Sequence, residues 1–243
     1  MPTHRFSTTV SPVHHRLDRA GKRLRSVIGG VALAASVIST TVAPANRTHA
    51  IPLTYGQDVS GYESNHDWSA SPAKFGIVKA TEGLTYRDPS FARQWQELGK
   101  KGMVRGAYDY GHPGNDPIAE AEHFLSVVND QPAKKGDLLV LDLETTDGQS
   151  VDHVNTWAKR WLAYVKAETG ATPLFYSGWD FADTYGHGLA GYPLWVAYYG
   201  RAKGDVTPPA DWKTWTIHQY TDTPIDQNVS ALSSHQLRLL GRR

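Results

Sequence analysis

The chain has 243 residues, of which 40% are hydrophobic and 11% aromatic, with no cysteine and a formal charge of +1. That length suits one large domain, and the missing cysteine excludes disulfides, thiol catalysis and cysteine metal sites. The near-neutral sum conceals a split: seven Lys and Arg precede residue 51 against one Asp, which leaves 18 basic and 23 acidic groups, a net of −5, in the remainder. An acidic body argues against nucleic acid as partner, because phosphate binding needs a basic face.

The first segment carries the basic excess. Lys22-Arg23-Leu24-Arg25 precedes a small-residue apolar run from Val27 to Ile38, and cleavage sites of small residues follow at Ala43-Pro44-Ala45 and Thr48-His49-Ala50. This is the three-part plan of a secretory signal. The apolar run is too short, and too rich in Gly, Ser and Ala, to span a bilayer. The expectation is a leader over 1–50, cut after Ala45 or Ala50. The mature domain of 51–243 is then secreted, extracellular and without stable membrane association.

Tyr55 to Ser60 reads as a strand running into a polar loop, and Phe75 to Thr81 as a second strand broken by Glu82-Gly83. Pro89 to Lys101 places Phe91, Trp95 and Leu98 at helical spacing; Val104 to Tyr110 is a strand, and Pro117 to Val128 a helix with Ala121, Phe124, Leu125 and Val128 inward. Leu138 to Leu141 is apolar on both faces, as in a buried parallel strand. A long helix from Val151 to Thr169 follows, with Val154, Trp157, Trp161, Leu162 and Val165 on one side and Gly170 as its stop. Thr172 to Tyr176, Leu194 to Tyr199 and Thr214 to Tyr220 are strands, and Ile225 to Val229 a short closing one. Strand–helix alternation with about eight strands predicts an α/β single domain whose parallel sheet closes as a TIM-like barrel. Because helices fade toward the C-terminus, that barrel is expected to be irregular.

The buried strand ends in Asp142-Leu143-Glu144. Residues i and i+2 of a strand share a face, so the two carboxylates project together with Cα atoms roughly 6.5 Å apart, while Leu143 packs on the opposite side. Like charges leaving a buried strand push at least one pKa upward, and acids with divergent pKa values suit glycosidic bond cleavage. Taken alone, the pair reads equally well as a helix cap or as two solvated groups.

Active sites of such barrels lie at the C-terminal ends of the strands. Those ends carry Asp58, Lys79, Glu82, Tyr108, Asp109, Asp142, Glu144, Tyr176, Trp195, Tyr198, Gln219 and Asp226. Carboxylates, amides and amphipathic aromatics suit a sugar polymer, whose apolar faces stack and whose hydroxyls hydrogen-bond. Trp95, Trp157 and Trp161 are assigned to the core, and Trp195, Tyr108, Tyr176 and Tyr198 to the cleft. Glu120-x-x-His123 reads as a solvated helix face, and His218 as packing or cleft lining. Tyr176-Ser177-Gly178 lacks the flanking glycine of a nucleophile elbow. No phosphate loop or zinc motif follows a strand, so no metal and no cofactor is expected.

In order along the chain, Gly56-Gln57-Asp58-Val59-Ser60, Ile77-Val78-Lys79-Ala80-Thr81-Glu82-Gly83, Gly106-Ala107-Tyr108, Ala121-Glu122-His123-Phe124-Leu125, Leu141-Asp142-Leu143-Glu144, Pro173-Leu174-Phe175-Tyr176, Leu194-Trp195-Val196-Ala197-Tyr198, Gln219-Tyr220 and Ile225-Asp226-Gln227-Asn228 resemble the family-25 glycoside hydrolases, the Chalaropsis-type lysozymes. The resemblance implies a (β/α)5(β)3 barrel and hydrolysis of the β-1,4 bond after N-acetylmuramic acid in peptidoglycan glycan strands, by a secreted monomer. It implies Glu144 as general acid, Asp142 assisting through the substrate's acetamido group, and Asp58 and Asp226 as flanking carboxylates. Glu82, Lys79, Tyr108, Tyr176, Trp195, Tyr198 and Gln219 complete the expected substrate contacts. Asp109 departs from the family's usual His, and the pattern stops after Asn228. Two alternatives stand beside this reading: a non-catalytic wall-binding protein, and a chitinase-like hydrolase, which usually carries a further Asp where Val140 stands.

Overall fold

The computed structural model describes residues 52–243; the basic leader, the apolar run and both cleavage sites lie outside the described residues. The elements in chain order are β1 (Thr54–Val59), β2 (Phe75–Glu82), β3 (Tyr86–Arg87), α1 (Phe91–Lys101), β4 (Val104–Tyr110), α2 (Pro117–Asn129) and β5 (Leu138–Asp142). They continue as α3 (Val151–Thr169), β6 (Leu174–Gly178), α4 (Trp179–Tyr185), β7 (Leu194–Ala197), β8 (Ile217–Thr221), β9 (Gln227–Ser230) and α5 (Ser234–Leu240).

Eight strands close on themselves in the order β1, β2, β4, β5, β6, β7, β8, β9, with β9 pairing back onto β1. Seven run parallel, and β9 is antiparallel to both its neighbours. Alternation along each strand then divides the apolar residues into two bodies. Phe75, Ile77, Val104, Leu138, Val140, Leu174, Tyr176, Trp195 and Ile217 fill the barrel, whereas Val78, Ala107, Leu139, Leu141, Leu143, Phe175 and Val196 face the helices. Gly56 lies on the inside, where an added Cβ would run into the Phe75 ring.

The long helices begin and end where local chemistry dictates. Asp116 caps α2 through the amides of Ile118 and Ala119, with Pro117 just inside; Ser150 caps α3, and Gly102 and Gly170 end α1 and α3 at φ 72° and 66°. Trp95, Trp157 and Trp161 are buried against the barrel's outer face, as their spacing predicts.

Three elements go beyond the sequence reading. Glu82-Gly83 reverses the chain rather than merely ending β2: Gly83 takes φ 58° and β3 returns antiparallel to it. Helix α4 is seven residues long with only Ala182 fully buried, too short to show a period. Helix α5 starts at a Ser233/Gln236 capping box and packs Leu237 and Leu240 onto the barrel-interior cluster.

Candidate active site

Along β5, Leu138 and Val140 point inward and Leu139, Leu141 and Leu143 outward, so Asp142 and Glu144 continue the inward series. Pairing outlasts the strand: the Leu143 amide donates to the Tyr176 carbonyl at 3.0 Å, and the Leu143 carbonyl accepts the Ser177 hydroxyl at 2.6 Å. Both bonds fix the direction in which Glu144 leaves β5.

Asp142 is 6% exposed, and its Oδ1 has no hydrogen-bond partner. Burial, then the charge of Glu144, raises its pKa well above the carboxylate range, against the pull of Lys79. Glu144 opens to solvent yet is surrounded closely enough for burial to raise its pKa, opposed by the hydrogen bond with Asp142 and by the Lys79 charge. Facing acids of this kind hold between them a proton that separate surface carboxylates would release.

A second acid pair stands across the barrel. Asp58, 5% exposed, accepts from Asn228 Nδ2 at 2.5 Å and from Gln219 Nε2 at 3.0 Å. Burial and then Asp226 raise its pKa. Asp226 is pushed up to about 6 by burial and by the charges of Glu63 and Asp222. Gln219 is oriented in turn, because its Oε1 accepts the hydroxyls of Tyr176 (2.8 Å) and Tyr199 (2.7 Å).

Lys79 supplies the positive charge. Its Nζ lies 2.6 Å from Glu82 and above the rings of Tyr110 and Tyr86, at 5.1 and 5.5 Å from their centroids. His112 bridges Glu82 (3.3 Å) and Asp147 (3.2 Å), and its amide donates to Glu120 at 2.8 Å. Tyr110 is pushed up to about 12 by burial, then by the Asp142 and Glu144 charges.

Asp142, Glu144, Asp58, Asp226, Lys79, Glu82 and Tyr108 therefore meet at one end of the barrel. Several other expectations need correction. Trp195 is 1% exposed, donates to Asn228 Oδ1 at 2.8 Å and packs on Tyr176 at a centroid distance of 4.4 Å, so it is floor rather than a sugar-stacking face. Tyr176 and Gln219, at 7% and 2% exposed, spend their polar atoms on each other and on Asp58, so they position that carboxylate. Tyr198 stacks on Trp179 and accepts from Arg201, because alternation turns it away and sends Tyr199 inward instead. Asp109 is wholly buried on the outer face, accepting from Thr81 (2.6 Å) and Trp161 (3.1 Å), and makes no cleft contact. Glu120 is also fully buried rather than solvated, held by His112 and Asn115. His218 packs, with Nδ1 accepting from Gly204 and Nε2 on the Tyr198 carbonyl. Tyr110, Tyr199, Asn228 and His112 were missed; counting in twos from Tyr108 and from Ala197 would have found the first two. Among the described residues, no group of three or more His, Asp or Glu has a metal-binding arrangement.

Two expected results follow from this packing. Trp195→Ala should cost about 3–5 kcal/mol of stability, read by denaturant unfolding, and a loss below about 1 kcal/mol would contradict its place in the core. Glu120 is pushed up to about 7 by burial, against the bonds from Asn115 and the His112 amide. A carboxyl raised in the fold contributes stability that is complete below its unfolded pKa and lost as pH rises through the folded value. Asp226 and the raised His112 act in the same direction, whereas His66 and His218, lowered by burial, oppose them. The unfolding temperature of Glu120→Gln should therefore fall less steeply than that of the parent between about pH 5 and pH 8. Parallel curves would show that Glu120 does not titrate there.

The chain is similar to known proteins in sequence and in fold. The sequence profile of "Glycosyl hydrolases family 25" matches residues 57–229. The uncharacterized protein YegX of Escherichia coli (strain K12) is 34% identical over 203 residues, covering 74% of this chain and 71% of that protein. An N,O-diacetylmuramidase of Arthroderma benhamiae is 30% identical over 188 residues, covering 69% of this chain and 77% of that protein. Among solved structures, a family GH25 lysozyme from Aspergillus fumigatus superposes with a TM-score of 0.71 at 26% identity, over 79% of this chain and 100% of that one.

Proposed function

Because the chain belongs to glycosyl hydrolase family 25 and is thus a glycoside hydrolase, we propose that it is a secreted lysozyme. In this reading it cleaves the β-1,4 bond between N-acetylmuramic acid and N-acetylglucosamine in bacterial peptidoglycan. The observation that carries the reading is the Asp142–Glu144 pair at the barrel mouth, with both pKa values raised and a cation, Lys79, beside it.

Each carboxyl takes a distinct role. Glu144 is the member of the pair that reaches solvent, so in this reading the proton that the pair holds is delivered from Glu144 to the leaving oxygen, which leaves Asp142 ionised. Asp142 is enclosed and its Oδ1 lacks a donor, so it accepts the N–H of the substrate's 2-acetamido group. Asp58 and Asp226 form the opposite wall of the site, and Gln219 and Asn228 hold Asp58 in place. The chain works outside the cell once the 1–50 leader is removed, with residues 51–243 as its catalytic domain.

Purified peptidoglycan should lose turbidity with release of new reducing ends when the protein is added. Binding to walls without release of reducing sugar would support the non-catalytic alternative. Release from chitin but not from peptidoglycan would support the chitinase-like one.

A further inference from the structure

Asp137 stands immediately before β5, at the end of the strand opposite to Glu144 and roughly 16 Å from Asp142 along it. It is 2% exposed, and its carboxylate is already engaged. Oδ1 accepts from Arg105 Nε at 2.7 Å, and Oδ2 from Arg105 Nη2 at 2.9 Å and from the Lys134 amide at 2.7 Å. A second guanidinium, that of Arg242, comes near this pair without sharing it. The Arg242 backbone is locked onto the turn before β5, its amide donating to the Asp137 carbonyl at 3.0 Å and its carbonyl accepting the Gly136 amide at 2.9 Å. Gly241 permits that approach, because a Cβ there would fall 2.3 Å from the Gly136 backbone.

The Arg242 side chain is half-buried and under-compensated. Its Nη2 donates to Asn129 Oδ1 at 2.8 Å, its Nε is enclosed with no partner, and among the described residues it forms no ion pair. Burial lowers its pKa; Asp137 opposes the shift and the Arg105 charge adds to it. A desolvated cation without a counter-ion is costly, and an anion brought to it removes part of that cost. Arg242 opens onto a cavity of about 590 Å³ beside the C-terminal ends of α2 and α3, a volume within the range of small-molecule sites. Lys134, Lys135 and Arg243 also line it, and none of the three is ion-paired among the described residues. The helices contribute Glu122, Glu168 and Tyr164, whose hydroxyl donates to Glu122 at 3.0 Å. Four cations against two carboxylates make this lining net positive on a body that is otherwise acidic.

We propose that this cavity binds a hydroxyl-bearing phosphate ester, with the phosphate on Arg242 and the two lysines and the hydroxyls on Glu122 and Glu168. A guanidinium fork and lysine point charges are phosphate partners, and carboxylates accept hydroxyls. Nucleic acid would need a longer basic face than these four side chains offer. The same chemistry occurs in a polyol phosphate polymer of the bacterial wall and in a free phosphate ester. Binding here is read without turnover, so it stands apart from the hydrolase reading.

The test uses the full chain carrying Glu144→Gln, so that walls survive. Glycerol phosphate and inorganic phosphate are titrated calorimetrically at low salt into this parent, into the parent with Arg242→Gln, and into the parent with Lys134→Gln and Lys135→Gln together. Retention on purified walls is measured before and after hydrofluoric acid strips their phosphodiester-linked polymers. Arg242→Gln should weaken glycerol phosphate roughly tenfold or more, the worth of a charge-assisted hydrogen bond. The lysine pair should weaken it too, and because both side chains are exposed that variant decides the matter even where Arg242→Gln fails to fold. Retention lost on stripping and in both variants assigns the wall polymer; glycerol phosphate binding with retention unchanged assigns the free ester. A parent that binds neither probe and holds stripped walls as well as intact ones overturns the site. So does affinity that both variants leave unchanged, equal affinity for the two probes, or retention that follows the stem peptides instead. In the active chain, Arg242→Gln should hydrolyse stripped peptidoglycan at the parent rate, so absent lysis counts against the hydrolase reading and not against this site.

Discussion

Glu144→Gln is expected to lower lysis by roughly 10²–10⁴-fold while leaving wall binding nearly intact. Glutamine keeps the length and a hydrogen bond but has no proton to deliver to the departing oxygen. Structure is not at risk, because Glu144 is exposed and lies beyond the last residue of β5. Turbidity assays and pull-down on purified walls measure the two quantities separately. Retention of more than about a tenth of the activity would move the acid elsewhere, and Asp226, already pushed up to about 6, would be next in line.

The second large effect concerns the nucleophile. Asp142 and Glu144 leave the same face of one strand, an arrangement poorly suited to flanking a sugar from opposite sides as an inverting pair must. In the proposed mechanism the substrate's own 2-acetamido oxygen attacks the anomeric carbon, which removes that difficulty. The oxygen forms the new bond to carbon as the glycosidic oxygen leaves with the Glu144 proton. Water, deprotonated by Glu144, later opens the oxazolinium ring. Asp142 holds the acetamido N–H and offsets the positive charge that develops on it. Asp142→Asn, which removes that charge, should reduce kcat by about 10²–10³-fold, the scale of losing one preorganised electrostatic group. Substrate lacking the acetyl group on the cleaved residue should not react, and NMR of the first-formed anomer should show retained configuration. An inverted anomer would mean direct attack by water, with Asp58 or Asp226 as base.

How much of this was legible in the sequence depends on period and depth. The unbroken run Leu138 to Leu141 marked β5, and alternation alone predicted that Leu143 would pack outward while Asp142 and Glu144 faced in. Capping residues and helical spacing located α1, α2 and α3 to within two residues at each end. Strand-end chemistry gave the general location of the site but not each side chain's orientation. Tyr198 and Tyr199 are adjacent and chemically alike, and only the parity of β7 decides which one faces the acids. Trp195 and Gln219 occupy inward positions as expected, yet they lie too deep to be reached, because depth along the barrel axis leaves no mark in a two-residue period. The sequence places Asp109 among the cleft-lining strand ends and Glu120 on a solvated helix face; their burial depends on partners 28 and 8 positions away, Thr81 and His112. The closing helix α5 has a capping box but only a short apolar face, and its role becomes visible only once the open end of a barrel needs covering.

The central claim is the bond that is broken. Peptidoglycan digested to completion by the protein, then reduced with borohydride and acid-hydrolysed, identifies the sugar at each new reducing end. The account predicts reduced muramic acid, in amounts matching the loss of turbidity and absent from a parallel digest with Glu144→Gln. Reduced glucosamine in its place would assign the cleavage to the other glycosidic bond of the strand and contradict the account.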